Sequence, residues 1–162
     1  MPLSVRLEIL TIERQVFDAS VEMVIAPATD GLVGILPNHS PLLTTLDHGE
    51  LEVRTTGAEP QFFAIGGGFL QVLPDHVVVL ADSAEHEDEI DIEQAESAHQ
   101  RAVALVEQHA GAEQGDELSR ARVTLRQSQV RLAVARRRRS RRTSSSLPGT
   151  ESVRRSEPGQ AQ

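Results

Sequence analysis

The chain contains no lysine, no cysteine, no tryptophan and no tyrosine, and its aromatic side chains are four phenylalanines. Without lysine there is no P-loop lysine, no Schiff-base chemistry and no anchor for pyridoxal phosphate. Without cysteine there is no thiol nucleophile, disulfide or thiolate metal site, and the redox compartment stays open. Long apolar runs are missing too. Stretches such as Val77-Val78-Val79-Leu80-Ala81 fall far below the roughly 18–20 residues of a membrane-spanning helix. Met1 to Leu10 alternates like a strand and has neither the basic nor the apolar region of a targeting segment. What is present is a chain of 162 residues, 39% apolar, which suits one or two small globular domains.

All 16 basic side chains are arginines, and the formal charge of −8 hides how they are distributed. Residues 1–118 hold four arginines against 22 acids, a net of −18, whereas residues 119–162 hold twelve against two, a net of +10. The two ends would attract opposite partners, so the mean charge describes neither.

Up to about Ala81 the sequence reads as short strands. Leu3, Val5, Leu7 and Ile9 alternate with polar residues, and Val21, Met23 and Ile25 repeat the pattern. Leu51 and Val53, Gln61–Ile65, Phe69–Leu73 and Val77–Ala81 are further runs. Turn signals at Asp30-Gly31, Pro37-Asn38, Asp47-His48-Gly49, Gly57, Gly66–Gly68 and Pro74-Asp75 separate them. Eight to ten short strands without helical periodicity predict a β sandwich or barrel over residues 1–84.

An acidic linker at 85–91 then leads to helical spacing. Ala95, Ala98, Ala102, Leu105 and His109 form one seam; Leu118, Ala121, Leu125, Ser128, Leu132 and Ala135 form another. The glycine-containing stretch 110–115 joins them, which predicts an antiparallel α-helical hairpin over 92–142. Asp91, with Gln94 three residues on, suits a cap for the first helix, and Asp116 suits one for the second. Both seams are rich in alanine and poor in large apolar residues, so the hairpin needs another surface to rest on. Residues 143–162, rich in Ser, Pro, Gly and Gln, predict a disordered tail.

Candidate sites divide quickly. Gly66–Gly68 could cradle a phosphate, but a strand follows where a helix N-terminus is required, so a bend between strands is expected. His39, His48, His76 and His86 lack paired metal-ligand spacing, so turn and surface histidines are expected and no metal. Ser40, His39 and Asp47 lack a nucleophile elbow, and no catalytic residues are expected. The arginine series is different. Arg120, Arg122, Arg126 and Arg131 lead into Arg136–Arg139, Arg141 and Arg142, and no acid occurs between Glu117 and Glu151. So dense a like-charge helix suits a polyanion: nucleic acid, anionic lipid or an acidic protein segment. A nucleic-acid-binding module is therefore the alternative reading, although the segment has no aromatic to stack bases. A small β-barrel metalloenzyme is a third.

From about Leu3 to about Arg136 the chain resembles the epsilon subunit of F-type ATP synthases, called delta in mitochondria. The most specific stretch spans 31–46 followed by Gly49, with Gly34-Ile35-Leu36-Pro37-x-His39-x-Pro41-Leu42-Leu43. Ile65-Gly66-Gly67-Gly68-Phe69, Val78-Val79-Leu80-Ala81-Asp82, Leu118-x-Arg120-Ala121 and Leu125-Arg126 add to it. The resemblance implies a non-catalytic rotor subunit of the central stalk of a proton-translocating, ATP-synthesising complex. It would lie at the cytoplasmic face of a bacterial cell membrane, peripheral and held there only through the complex, with no cofactor and no nucleic acid. The sandwich would bind the gamma subunit and the ring of c subunits, with Pro37, His39 and Pro41 at the ring. The helices would extend into the catalytic head and inhibit ATP hydrolysis, with Arg122, Arg126 and Arg131 against an acidic loop of the beta subunits. Two departures stand out. Some bacterial relatives bind ATP through Ile/Leu-Asp-x-x-Arg-Ala at the start of the first helix. Here Ile92, Glu93, Glu96 and Ser97 occupy the defining positions, which implies no tight ATP site because an acid replaces the phosphate-binding arginine. The Arg136–Arg142 run and its tail go beyond the family pattern, and added charge there would strengthen inhibitory docking.

Overall fold

Alternation decides the first strand: Val5, Leu7 and Ile9 are buried and Arg6 faces water in β1 (Val5–Leu10). The computed structural model describes residues 4–111 and 115–145, with side chains through Arg142. Leu3, residues 112–114 of the 110–115 turn and residues 146–162 of the expected tail lie outside the described residues. Seven further strands follow: β2 (Gln15–Val21), β3 (Met23–Ala28), β4 (Gly31–Ile35), β5 (Leu42–Arg54), β6 (Gln61–Val72), β7 (His76–Ala81) and β8 (Ala84–His86). Their order is β2-β1-β7-β6-β5-β3-β4, with β8 also on β6. The β1–β7 pair is parallel and every other pairing is antiparallel.

The sheet folds over on itself because its two longest strands bend. Asp47-His48-Gly49 and Gly66–Gly68, which read in the sequence as strand breaks, lie inside β5 and β6. Pairing runs from Leu42↔Val72 to Leu46↔Gly68, skips a residue on each strand, and resumes at His48↔Gly66. Gly67 and Gly68 have φ of 95° and 127°, a region that side chains with a Cβ avoid. A Cβ at Gly68 would also collide with the Leu80 carbonyl. At the same level β7 gives way to β8, with Asp82 N–H donating to Gly67 O (3.1 Å) and Gly66 N–H to Ser83 O (2.9 Å). The glycines are therefore a corner within strands, which lets β5 and β6 serve both layers of a β sandwich.

Between the layers lies a core of Val5, Leu7, Ile9, Leu51, Phe63, Ile65, Leu70 and Val72 with their neighbours. Phe63 meets Phe17 edge-on, with ring centroids 5.4 Å apart, and meets His86 in the same manner at 4.9 Å.

Two antiparallel helices follow, α1 (Ile92–His109) and α2 (Asp116–Ser145). Asp91 caps α1 as its sequence suggests: the side chain accepts from Gln94 N–H at 2.8 Å. Asp116 differs from expectation. The Gly115 carbonyl accepts from Ser119 N–H, so Asp116 is the first helical residue and acts on the helix dipole instead of capping. Ala121, Ser128, Leu132 and Ala135 are buried on α2, and Ala95 and Ala102 on α1, which is the alternation of the two seams. His99 Nδ1 meets Ser128 Oγ across the seam at 3.3 Å. Beyond Arg142 the α2 backbone continues to Ser145, into the stretch read as tail.

The hairpin lies on the layer built from the second half of β5, the first half of β6 and β8. Leu132, Val134 and Ala135 pack with Phe62, Ala64, Ile90 and Ala95 in a small apolar cluster. Residues 85–91, read as a solvated acidic linker, are largely engaged. Glu85 and His86 are in β8, and Glu87 is 3% exposed, its backbone bonded to Phe62 O at 2.9 Å.

Candidate functional surfaces

Pro37, His39 and Pro41 share one turn at an end of the sandwich. Asn38 has φ of 64°, and its N–H donates to Pro74 O at 2.8 Å, tying this loop to the β6–β7 turn. His39 Nδ1 lies 2.7 Å from the Ser40 carbonyl, which can only accept, so the proton sits on Nδ1 and Nε2 is left for another partner. Pro41 is exposed, while Pro37 and His39 are half-buried. Leu36 and Leu73, both exposed, give this end an apolar surface.

A second surface was not legible as such in the sequence. Leu10, Leu80 and Phe69 are cross-strand partners on β1, β7 and β6. Phe69 is 55% exposed and Leu80 51% exposed. Leu43, 73% exposed, lies on the same outward face because it pairs with Gln71, two residues beyond Phe69. The signal was available: with Leu70 and Val72 facing the core, period-2 alternation sends Phe69 outward.

Several arginines of α2 face partners within the chain. Arg126 Nη2 bonds Asp47 Oδ2 at 2.8 Å. Arg131 grips Glu85 with two nitrogens, one at 3.1 Å. Arg137 pairs with Glu50 and stacks over Phe62, its guanidinium carbon 4.6 Å from the ring centroid. Arg138 meets the Asp88 carboxylate at 3.1 Å and the Asp88 carbonyl at 3.2 Å. Arg141 pairs with buried Glu87 and donates to Pro60 O. Arg122 is exposed and makes no ion pair among the described residues. Of the three arginines expected at an acidic partner, two are thus engaged on the sandwich and one makes no ion pair among the described residues. The partners Asp47, Glu50, Glu85, Glu87 and Asp88 escaped the sequence reading. The opposite signs of the chain's two halves were the available clue.

At the start of α1, Glu96 pairs with Arg136 across the hairpin at 3.8 Å, and Ser97 Oγ accepts from Arg101 at 3.2 Å. Ile92 packs against the hairpin cluster, and Glu93 is exposed in the first turn. A 440 Å³ cleft beside them is lined by Arg138, Arg139 and Arg142, but Asp91 already occupies an amide of the helix terminus. His39, His48, His76 and His86 are dispersed. Their ring nitrogens face Ser40 O, Asp47, Glu8 and, for His86, Gln61 and the Asp88 N–H, and among the described residues no group of three His, Asp or Glu could hold a metal ion. Nor, among these residues, is any helix long and apolar enough to cross a membrane.

Among the described residues, the sandwich thus exposes an apolar face and end and carries the helical hairpin on its other layer. Residues 4–87 match the β-sandwich domain of the ATP synthase delta/epsilon chain. The ATP synthase epsilon chain of Herpetosiphon aurantiacus is 47% identical over 137 residues, covering 85% of this chain and 98% of that one. That of Dehalococcoides mccartyi is 44% identical over 135 residues, covering 83% and 94%. The fold recurs in a chain of the Euglena gracilis mitochondrial ATP synthase, at TM-score 0.70 and 21% identity over 82% of both chains. It also recurs in the Tetrahymena thermophila central stalk and c-ring, at 0.54 and 13%, covering 81% of this chain and 96% of that one. The chain belongs to the ATP synthase epsilon family, the non-catalytic accessory subunits of the central stalk.

Proposed function

We propose that this subunit couples rotation of the c-ring to the catalytic head and restrains ATP hydrolysis through its hairpin. The sandwich docks on the gamma subunit through the Leu10–Leu80–Phe69 face, and on the c-ring through the loop of Pro37, His39 and Pro41. The hairpin, when extended, directs Arg122, Arg126 and Arg131 to an acidic segment of the beta subunits. The subunit then lies at the cytoplasmic face of the membrane, held there by the complex.

The observation that carries this reading is the exposed Phe69, Leu80 and Leu43 on one outward face, with the hairpin confined to the other layer. Apolar side chains grouped this way favour a protein partner over water. The nucleic-acid alternative draws less support, because Arg126, Arg131, Arg137, Arg138 and Arg141 already face carboxylates of the chain itself. ATP is not a tight ligand on this reading, because Glu96 turns its carboxylate toward Arg136.

The test is co-purification of gamma and the c-ring with the tagged chain. F69E/L80E should abolish capture of gamma while the variant keeps the strand content of the parent, and H39A/P41A should weaken the c-ring alone. Retention of gamma by F69E/L80E refutes the docking face. For the isolated subunit, saturable ATP binding at about micromolar concentration, equivalent to roughly 8 kcal/mol, would refute the absence of a tight ATP site.

A further inference from the structure

We propose that Arg137, Arg138 and Arg141 form an electrostatic latch that keeps the hairpin on the sandwich, built into the part of α2 beyond Ala135. The seam toward the sandwich explains why they are the latch. Along α2 this face carries Val130, Val134, Arg137 and Arg141, at spacings of four, three and four. The first two positions are apolar, and Val134 is fully buried among Phe62, Ala64 and Ile90. After Ala135 no described side chain of α2 belongs to that cluster, so the next turns are held by charge instead of burial.

Each latch arginine has a fixed acidic partner on the sandwich or in the turn that follows β8. Arg137 takes Glu50 on β5 and covers Phe62, while Arg138 takes the carboxylate and carbonyl of Asp88. Arg141 takes Glu87, the Pro60 carbonyl and a second position near Phe62, 5.4 Å from the ring centroid. Glu87 is the keystone. It is 3% exposed, and Arg141 is the cation that compensates it. A buried carboxylate stripped of its cation is costly, so while Glu87 stays covered Arg141 stays bound. Lifting the hairpin solvates both groups, so the pair stabilises the docked state only as far as the surrounding pairs act with it. Such a set weakens with ionic strength. The Debye length falls from about 30 Å at 0.01 M to about 3 Å at 1 M salt.

The sequence alone gives the 136–142 run the opposite effect, that of strengthening docking away from the sandwich. The latch makes removal of the run a release of the hairpin. This inference concerns the isolated chain and stands whether or not the extended hairpin inhibits hydrolysis.

The absence of cysteine supplies the test. Ala64→Cys places a single thiol under the hairpin, and Ala26→Cys, in a second protein, places one in the sandwich core. The full chain is labelled with the neutral reagent N-ethylmaleimide. In low salt, R137Q/R138Q/R141Q should speed labelling of the A64C protein at least about tenfold, the size expected when two partly exposed pairs and the cation of buried Glu87 are lost together. Labelling of the A26C protein should be unchanged. About 1 M sodium chloride should speed labelling of A64C alone to a similar degree, with a smaller effect in the triple variant, where only pairs such as Arg126–Asp47 and Arg131–Glu85 remain to be screened. R120Q/R122Q, which removes arginines away from the latch, should change nothing. An unchanged rate in the triple variant overturns the latch. So does equal acceleration in A26C, which would report global unfolding, or equal acceleration by R120Q/R122Q, which would report net charge.

Discussion

The sandwich and the hairpin are held by different forces. The sandwich closes on Phe63, Leu7, Ile9, Leu51, Ile65 and Leu70, each essentially inaccessible to water. The hairpin closes on alanines and a buried Ser128, and meets the sandwich through Leu132, Val134 and Ala135 before passing to arginine pairs. Apolar burial is not screened by salt, whereas partly exposed ion pairs are. On the latch proposed above, the sandwich is a permanent body and the hairpin an arm whose position depends on ionic conditions. The hydrophobic effect would then secure the one and electrostatics govern the other.

Three perturbations would break or sharpen that contrast. The largest effect is expected in the sandwich. Phe63→Ala removes a fully buried ring with two edge-on neighbours and should cost about 3–5 kcal/mol of global stability in urea unfolding. Leu132→Ala should cost about 2 kcal/mol or more, but as local opening. Hydrogen exchange should rise in α1 and α2 while β1 and β7 amides keep their protection. Equal losses of protection in both regions would erase the distinction between body and arm.

The smallest effect concerns pH. The Arg14 guanidinium, hydrogen-bonded to Glu89 at 2.7 Å, holds that carboxyl below the usual glutamate range, and His86 N–H adds to this. A carboxyl whose value is lowered on folding contributes stability above its unfolded value and loses it as pH falls through the folded one. The tie between the β1–β2 turn and the approach to α1 should therefore persist at about pH 5 and weaken only in more acidic solution. A carbon-13 titration should find the Glu89 midpoint low, and Arg14→Gln should return it to the ordinary range. A midpoint unmoved by R14Q would remove Arg14 as the cause. The Arg6–Asp18 pair lowers Asp18 in the same way between β1 and β2.

Much of the fold is legible in the order of residues. Period-2 alternation in Leu3–Ile9 marks the first strand, of which Val5–Ile9 is described. The three- and four-residue steps from Leu118 to Ala135 mark the α2 seam, and Asp91 marks the α1 start. These are local properties, written in neighbouring residues. The breaks at 47–49 and 66–68 are visible but mislead, because a glycine run signals a departure from regular strand without saying whether the strand ends or bends. The binding surfaces are only half legible. Pro37, His39 and Pro41 are nearly contiguous and stand out together, whereas Leu10, Leu80 and Phe69 come from three strands and meet only through register.

By itself, the sequence determined a β region followed by a helical hairpin, the segregation of acid from base, and membership of a family through the stretch around Pro37–Leu43. Only the tertiary structure decided where the basic helix rests. Which of 22 upstream acids faces Arg137 or Arg141 depends on the sheet corner at Gly66–Gly68, which brings β5, β6 and β8 under α2. Charge is a property of residues, but a salt bridge is a property of distance, and distance between remote segments is set by the fold.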